Sequence, residues 1–164
     1  MSKLKHIQEK ILDLDQIRLR TDMWRQLGKK LVFTNGCFDI IHLGHIDYLA
    51  KSADLGDKLI IGLNSDKSTR EIKGPNRPIT DENSRAFILA SFSFVDAVIL
   101  FDQETPLELI KIVNPDILVK GADYSVDQIV GADFVIRNGG KVQTLHYLPG
   151  YSTTLIEQKI RSLK

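Results

Sequence analysis

The sequence predicts an α/β fold, a Rossmann-like parallel sheet with helices on both faces, and three observations predict it. Short β-type runs alternate with helical ones along most of the chain, which is the pattern of a parallel sheet covered by crossover helices. At 164 residues and 43% hydrophobic content, the chain suits one compact domain that buries roughly 68–70% of its unfolded surface. No repeat and no low-complexity tract interrupts the series.

The elements follow in order. Ile7, Ile11, Leu14 and Ile17 recur at helical spacing, with Trp24 and Leu27 beyond, so residues 4–27 read as one or two amphipathic surface helices ended by Gly28. Strand 31–34, helix 45–55 and strand 58–63 come next. Residues 64–81, with Gly74, Pro75 and Pro78, read as the one long irregular stretch, and a loop of that length is more often functional than idle. Helix 82–92, strand 97–101, helix 106–113 and strand 117–120 continue the alternation. A helical stretch 126–137, strand 142–146 and a last helix from Ser152 to the C-terminus complete it, with Leu155, Ile156 and Ile160 expected to face the core. Ligands of such open sheets bind beyond the carboxyl ends of the strands, so function should cluster in the loops that follow them.

Composition narrows the partners. Lys and Arg number 22 against 21 Asp and Glu, a net charge of +1, so no global excess points to nucleic acid or to an anionic membrane. No apolar run approaches the about 18 residues of a membrane span, and MSKLKHIQEK lacks the apolar stretch of a signal peptide, so a cytoplasmic protein is expected. The single cysteine, Cys37, excludes an intrachain disulfide and a Cys-based zinc cluster.

Two well-known phosphate loops are absent. Neither G-x-G-x-x-G after the first strand nor G-x-x-x-x-G-K-[ST] occurs. The segment TNGCFDIIHLGH, residues 34–45, offers another device, with two of the four histidines three residues apart around Gly44. Gly44 would let a phosphate approach the backbone where the next helix begins, with its free N–H groups and positive dipole end, and the imidazoles of His42 and His45 would complete an anion pocket. One histidine as a helix cap and the other in the core is the bland alternative. A zinc pair would need a third and usually a fourth ligand, and no Cys cluster or H-x-x-x-H supplies them, so no metal site is expected.

The same segment resembles the H-x-G-H signature of the cytidylyltransferase-like nucleotidyltransferases, a superfamily whose motif class I aminoacyl-tRNA synthetases share. Further along, GLNSDKSTREIKGPNRPI, ENSRAFILASFSFVD, PDILVKGADY, NGGKV and GYSTTLIEQKI occur in the order found in the adenylyltransferase half of the bacterial ADP-heptose synthases. The resemblance runs from about residue 28 to 164. It implies a single nucleotidyltransferase domain over 1–164, with 1–28 as a helical lead and 29–164 as the catalytic core.

The implied reaction transfers AMP from ATP to D-glycero-D-manno-heptose 1-phosphate, releasing pyrophosphate, with Mg²⁺ arriving on the nucleotide and ADP-heptose made for lipopolysaccharide core or a related surface glycan. A cytidylyltransferase acting on glycerol 3-phosphate or a similar alcohol phosphate is the alternative. The fused synthases carry a sugar kinase ahead of this region, so a separate heptose kinase is expected; a homodimer is compatible with the family, and nucleic acid and membrane are not expected partners. By resemblance, Gly36, Cys37 and Phe38 form the wall under the nucleotide and Asp39 organises the loop. His42, His45 and a mobile Lys73 act on the phosphates. Arg85, Asp123 and the hydroxyls of Ser152, Thr153 and Thr154 bind the nucleotide, with Gly44 in the turn between the histidines. The structural alternatives are turn chemistry for Asp39 and Asp123, an ion pair with Asp81 for Arg85, and an N-cap for the serine and threonines.

Overall fold

A computed structural model of the chain describes residues 2–122 and 125–163. Its sheet has six parallel strands in the order β1-β4-β3-β2-β5-β6, formed by β1 (Ile11–Leu12), β2 (Leu31–Gly36), β3 (Lys58–Asn64), β4 (Ala97–Phe101), β5 (Ile117–Gly121) and β6 (Lys141–Leu145). The central strands read as unbroken apolar runs because both of their faces are covered. Alternate side chains go to opposite sides. Leu31, Phe33, Ile60, Ile99 and Leu118 pack with Trp24 of α2 (Leu14–Gln26), Leu109 and Ile110 of α6 (Leu107–Val113) and Val135 of α7 (Ala132–Arg137). Val32, Ile61, Leu63, Val98 and Val119 pack with Tyr48 and Leu49 of α3 (Leu43–Ala53) and with Ala86 and Leu89 of α5 (Glu82–Ser91).

Chain order reverses at β2. Its neighbours are β3 on one side and β5 on the other, so successive crossovers run outward in opposite directions and leave a crevice beyond the carboxyl ends. Register across β2 and β3 runs from Leu31 opposite Lys58 to Gly36 opposite Leu63, which brings the ends of both strands to one level.

Three expectations need correction, while that of one or two N-terminal helices holds as two with an unexpected strand between them. The N-terminal helical stretch is two helices, α1 (Lys3–Gln8) and α2, separated by the two-residue strand β1, where Ile11 pairs with Val98 at the sheet edge. Asp13 stops any continuous helix by capping α2, its side chain accepting from the Gln16 N–H at 2.8 Å. The stretch 64–81 is not all irregular, since α4 (Asp66–Lys73) occupies half of it, capped by Ser65. Residues 126–137 are a short 3₁₀ turn (Val126–Gln128) and α7, broken at Gly131, whose φ of +85° is left-handed. Finally α8 (Thr153–Ser162) contains no buried residue: Leu155 is 48% and Ile160 54% exposed, so they do not face the core, and Ile156 is only half-buried.

Candidate active site

The crevice beyond the sheet holds a cleft of about 690 Å³ reached by the carboxyl ends of β2 to β6. From β2 come Asn35, Gly36, Cys37 and Phe38, then His42 and His45 at the start of α3. Asn64 and Lys73 enter from β3 and α4, Glu104 follows β4, Lys120 ends β5, and Tyr147, Tyr151 and Ser152 follow β6. A site that draws on every central strand end is what the parallel topology predicts.

His42 occupies the N-cap position of α3 but makes no capping hydrogen bond with its side chain. Its ring stacks on His45 with centroids 3.9 Å apart and planes 25° from parallel. The Nδ1 atoms of both are buried without a partner. Two imidazoles this close cannot both carry charge cheaply. Burial lowers the His42 pKa, and burial, then His42, then the Lys73 ammonium push His45 down to about 4, with the Ile40 backbone acting weakly the other way. Both rings are therefore neutral near pH 7 when nothing anionic is bound, and an arriving polyanion would raise their pKa values.

The backbone around them is specialised. Phe38 has a φ of +46°, rare for a non-glycine residue, and its ring meets His45 edge-on at 5.4 Å. A Cβ on Gly36 would lie 3.0 Å from the Phe38 ring, so smallness at 36 protects the placement of Phe38. Over Gly44 the space is taken: a Cβ there would lie 3.1 Å from the His42 ring and 3.2 Å from Tyr151 Cβ. That contact joins the start of α3 to the connection leading into α8.

Asp39 is 3% exposed and lies behind the cleft. It accepts from the Ile79 and Thr80 N–H groups at 2.8 and 2.9 Å and from Arg77 Nη1 at 2.8 Å. Burial works to raise its pKa, but the Thr80 N–H, Arg77 and the Ile79 N–H outweigh it and hold the carboxyl below its usual range. Turn organisation, one of its two expected roles, accounts for all of these contacts.

Arg85 stands apart from the cleft and is fully buried. Its Nε donates to the Thr80 carbonyl at 2.9 Å, Nη1 to the carbonyls of Cys37 at 2.5 Å and Asn64 at 2.8 Å, and Nη2 to Asp66 Oδ1 at 2.7 Å. One guanidinium thus pins the loops after β2 and β3 and the first turn of α4. The alternative expected for it, an ion pair with Asp81, is not formed; Asp81 instead caps α5 by accepting from the Ser84 N–H at 3.0 Å.

Lys73 lies in the last turn of α4 rather than in a loop. Ser152 lines the cleft while its Oγ accepts from the Leu155 N–H at 3.1 Å, so it is the cap of α8. Thr153 is half-buried and Thr154 exposed, and neither lines the cleft. Asp123 lies outside the described residues. Asn35, whose Oδ1 is buried without a partner, Glu104, Lys120 and Tyr147 were not singled out from the sequence, although Asn35 and Lys120 could have been, since each sits at the carboxyl end of an expected strand.

Among the described residues no group of three or more His, Cys, Asp or Glu side chains is placed to hold a metal ion. No helix among them is long and apolar enough to cross a membrane.

The family model for cytidylyltransferase-like proteins matches residues 33–159. A bifunctional protein HldE of Methylobacillus flagellatus is 47% identical over 154 residues, covering 94% of this chain and 32% of that protein. The chain thus spans about a third of the length of the curated relatives it matches. The crystal structure of a lipopolysaccharide core biosynthesis protein from Thermoplasma volcanium is similar at 34% identity and a TM-score of 0.59, over 74% of this chain and 98% of that one. A pantoate-beta-alanine ligase from Francisella tularensis shares the fold alone, at 16% identity and a TM-score of 0.61 over 92% of this chain and 76% of that one.

Proposed function

The chain belongs to the cytidylyltransferase-like family, and we propose that its cleft transfers AMP from ATP to D-glycero-D-manno-heptose 1-phosphate, giving ADP-heptose and pyrophosphate for lipopolysaccharide core or a related glycan. The observation that carries this reading is the neutral, stacked His42–His45 pair at the start of α3, where the sheet order reverses. The likeness to HldE and to a lipopolysaccharide core biosynthesis protein supports the choice of acceptor. An ATP-dependent step of this kind belongs with the cytoplasmic nucleotide pool.

In the proposed reaction an oxygen of the sugar phosphate attacks the α-phosphorus of ATP, a new P–O bond forms, and the bond to the bridging α–β oxygen breaks as pyrophosphate departs. A phosphate monoester is already ionised near pH 7, so no general base is required. The barrier lies in aligning two polyanions and in stabilising charge on the α-phosphate and the leaving group, which is work for positioning and electrostatics. His42 and His45 donate to those oxygens, and their charged forms gain stability as negative charge arrives. Lys73, at the end of α4, covers the phosphates from the β3 side. The N-terminal ends of α3 and α8, brought together at Gly44 and Tyr151, would turn their positive dipole ends toward the phosphates. Mg²⁺ fits as an ion carried by the nucleotide's own phosphate oxygens and water, where it would neutralise charge, since the described donor set forms no cage.

The test is pyrophosphate release across the four nucleoside triphosphates and a panel of sugar and alcohol phosphates. ATP with a heptose 1-phosphate should be the productive pair. Efficient turnover of CTP with glycerol 3-phosphate would overturn the reading in favour of an alcohol-phosphate cytidylyltransferase.

A further inference from the structure

Helix α8 carries the Ser152 end of the cleft, yet its apolar anchor is slight, with Ile156 only half-buried. None of its residues is buried, and Leu155 and Ile160 are about half exposed. A helix with so slight an apolar anchor needs another tether if its N-terminal end is to be held at a fixed place.

The tether is ionic. Arg77 sends Nη1 to Asp39 Oδ2 at 2.8 Å and Nη2 to Glu157 Oε1 in the second turn of α8. The side chains of Arg77, Asp39 and Glu157 are 20%, 1% and 21% exposed. This is no ordinary surface pair, because the charges are mostly withdrawn from water, where attraction is stronger and screening weaker. Asp39 is itself immobilised by the Ile79 and Thr80 N–H groups. The anchor is therefore rigid, and a helix is stiff enough that fixing Glu157 fixes Ser152 five residues earlier. Arg77 does not line the cleft.

We propose that Arg77, forked between Asp39 and Glu157, is a positioning residue that holds α8 so that its N-terminal end faces the His42–His45 end across the phosphates. This rests on the phosphate role proposed above for that end, and the experiment separates the two. In the full chain, Glu157→Gln and Arg77→Met remove one arm or the whole fork; Arg77→Lys keeps a charge that reaches one carboxylate but cannot fork to two. Two quantities are measured: amide hydrogen exchange over residues 153–162, and calorimetric affinity for ATP and for inorganic tripolyphosphate.

Exchange in α8 should rise about tenfold in Glu157→Gln and in Arg77→Met, while β2 and α3 keep their protection. Affinity for both anions should fall about tenfold, with Arg77→Lys between the extremes. The double variant should bind no worse than Arg77→Met, since the two positions act as one unit. Unchanged α8 exchange in Glu157→Gln would overturn the proposal, as would faster exchange with unmoved anion affinity. A wild type that binds neither anion would sink the nucleotidyl-transfer reading itself, a failure distinct from variants that bind as well as the wild type does.

Discussion

Arg85→Met tests whether the buried guanidinium is scaffold or ligand contact. The substitution keeps much of the side-chain volume and removes every donor, leaving the carbonyls of Cys37, Asn64 and Thr80 and the carboxylate of Asp66 without their partner. Breaking one side of a buried ion pair costs about 3–5 kcal/mol. Asp66 is 26% exposed and regains some water, which puts this contribution at the low end, about 3 kcal/mol. The Cys37 and Thr80 carbonyls left unpaired add about 1 kcal/mol each at the low end of the range, while the Asn64 carbonyl keeps the Thr69 hydroxyl at 3.5 Å, for a total of about 5 kcal/mol. That is comparable to the whole stability of many domains, about 5–15 kcal/mol. At about 2–4 °C per kcal/mol for a chain of this size, the melting temperature should drop by about 10–20 °C. Urea unfolding followed by circular dichroism measures the same loss as a lower midpoint with an unchanged slope. Arg85→Lys, which retains one donor group and the charge, should fall between Met and wild type. If Arg85→Met melts within about 3 °C of wild type while its KM for ATP rises, the reasoning is refuted and Arg85 is a nucleotide contact.

His42→Ala and His45→Ala should each lower kcat by about 10²–10³ with the fold intact, the loss typical of one transition-state donor, and near-normal turnover in a folded variant would remove that residue from the phosphate site. The depressed pKa of His45, about 4, predicts a pH dependence of stability. Below its ordinary pKa near 6.5 the unfolded chain takes up a proton that the folded ring refuses. Its contribution is thus fully present above pH 6.5, declines toward pH 4 and then levels off. The melting-temperature difference between wild type and His45→Gln should shift in that direction over that window, and a difference flat in pH would show that His45 is not desolvated.

The strands were legible because parallel strands covered on both faces leave unbroken apolar runs, and 97–101 coincides with β4 to the residue. Elements whose inward faces are polar, or which are very short, left no such trace. Helix α4 turns Ser68 and Thr69 inward, where Asn64 donates to Ser68 Oγ at 2.9 Å, so it shows no apolar period. Strand β1 has two residues, too few for any period, and it exists because the Lys10 carbonyl and Ile11 find partners on β4. For α8 the apolar residues do repeat at helical spacing, but period alone does not tell a helix packed on a core from one held by a charge.

The site divides along a similar line. The histidine pair could be read because both members lie within one turn and their chemistry is local. Arg85 could not be placed correctly, because its partners are three backbone carbonyls and a carboxylate from loops that the topology brings together, and carbonyls carry no sequence signature. Arg77 went unassigned for the same reason, its two carboxylates lying 38 and 80 positions away in the numbering of the chain, at Asp39 and Glu157. Both arginines spend their charge behind the cleft on fixed acceptors. Among the groups that line the cleft itself are a desolvated histidine pair, Lys73, Lys120 and the carboxylate of Glu104. Such a cavity lowers the pKa of its own histidines, chiefly by burial, and on the proposed reading an entering polyanion would raise it again and charge the groups that meet the phosphates.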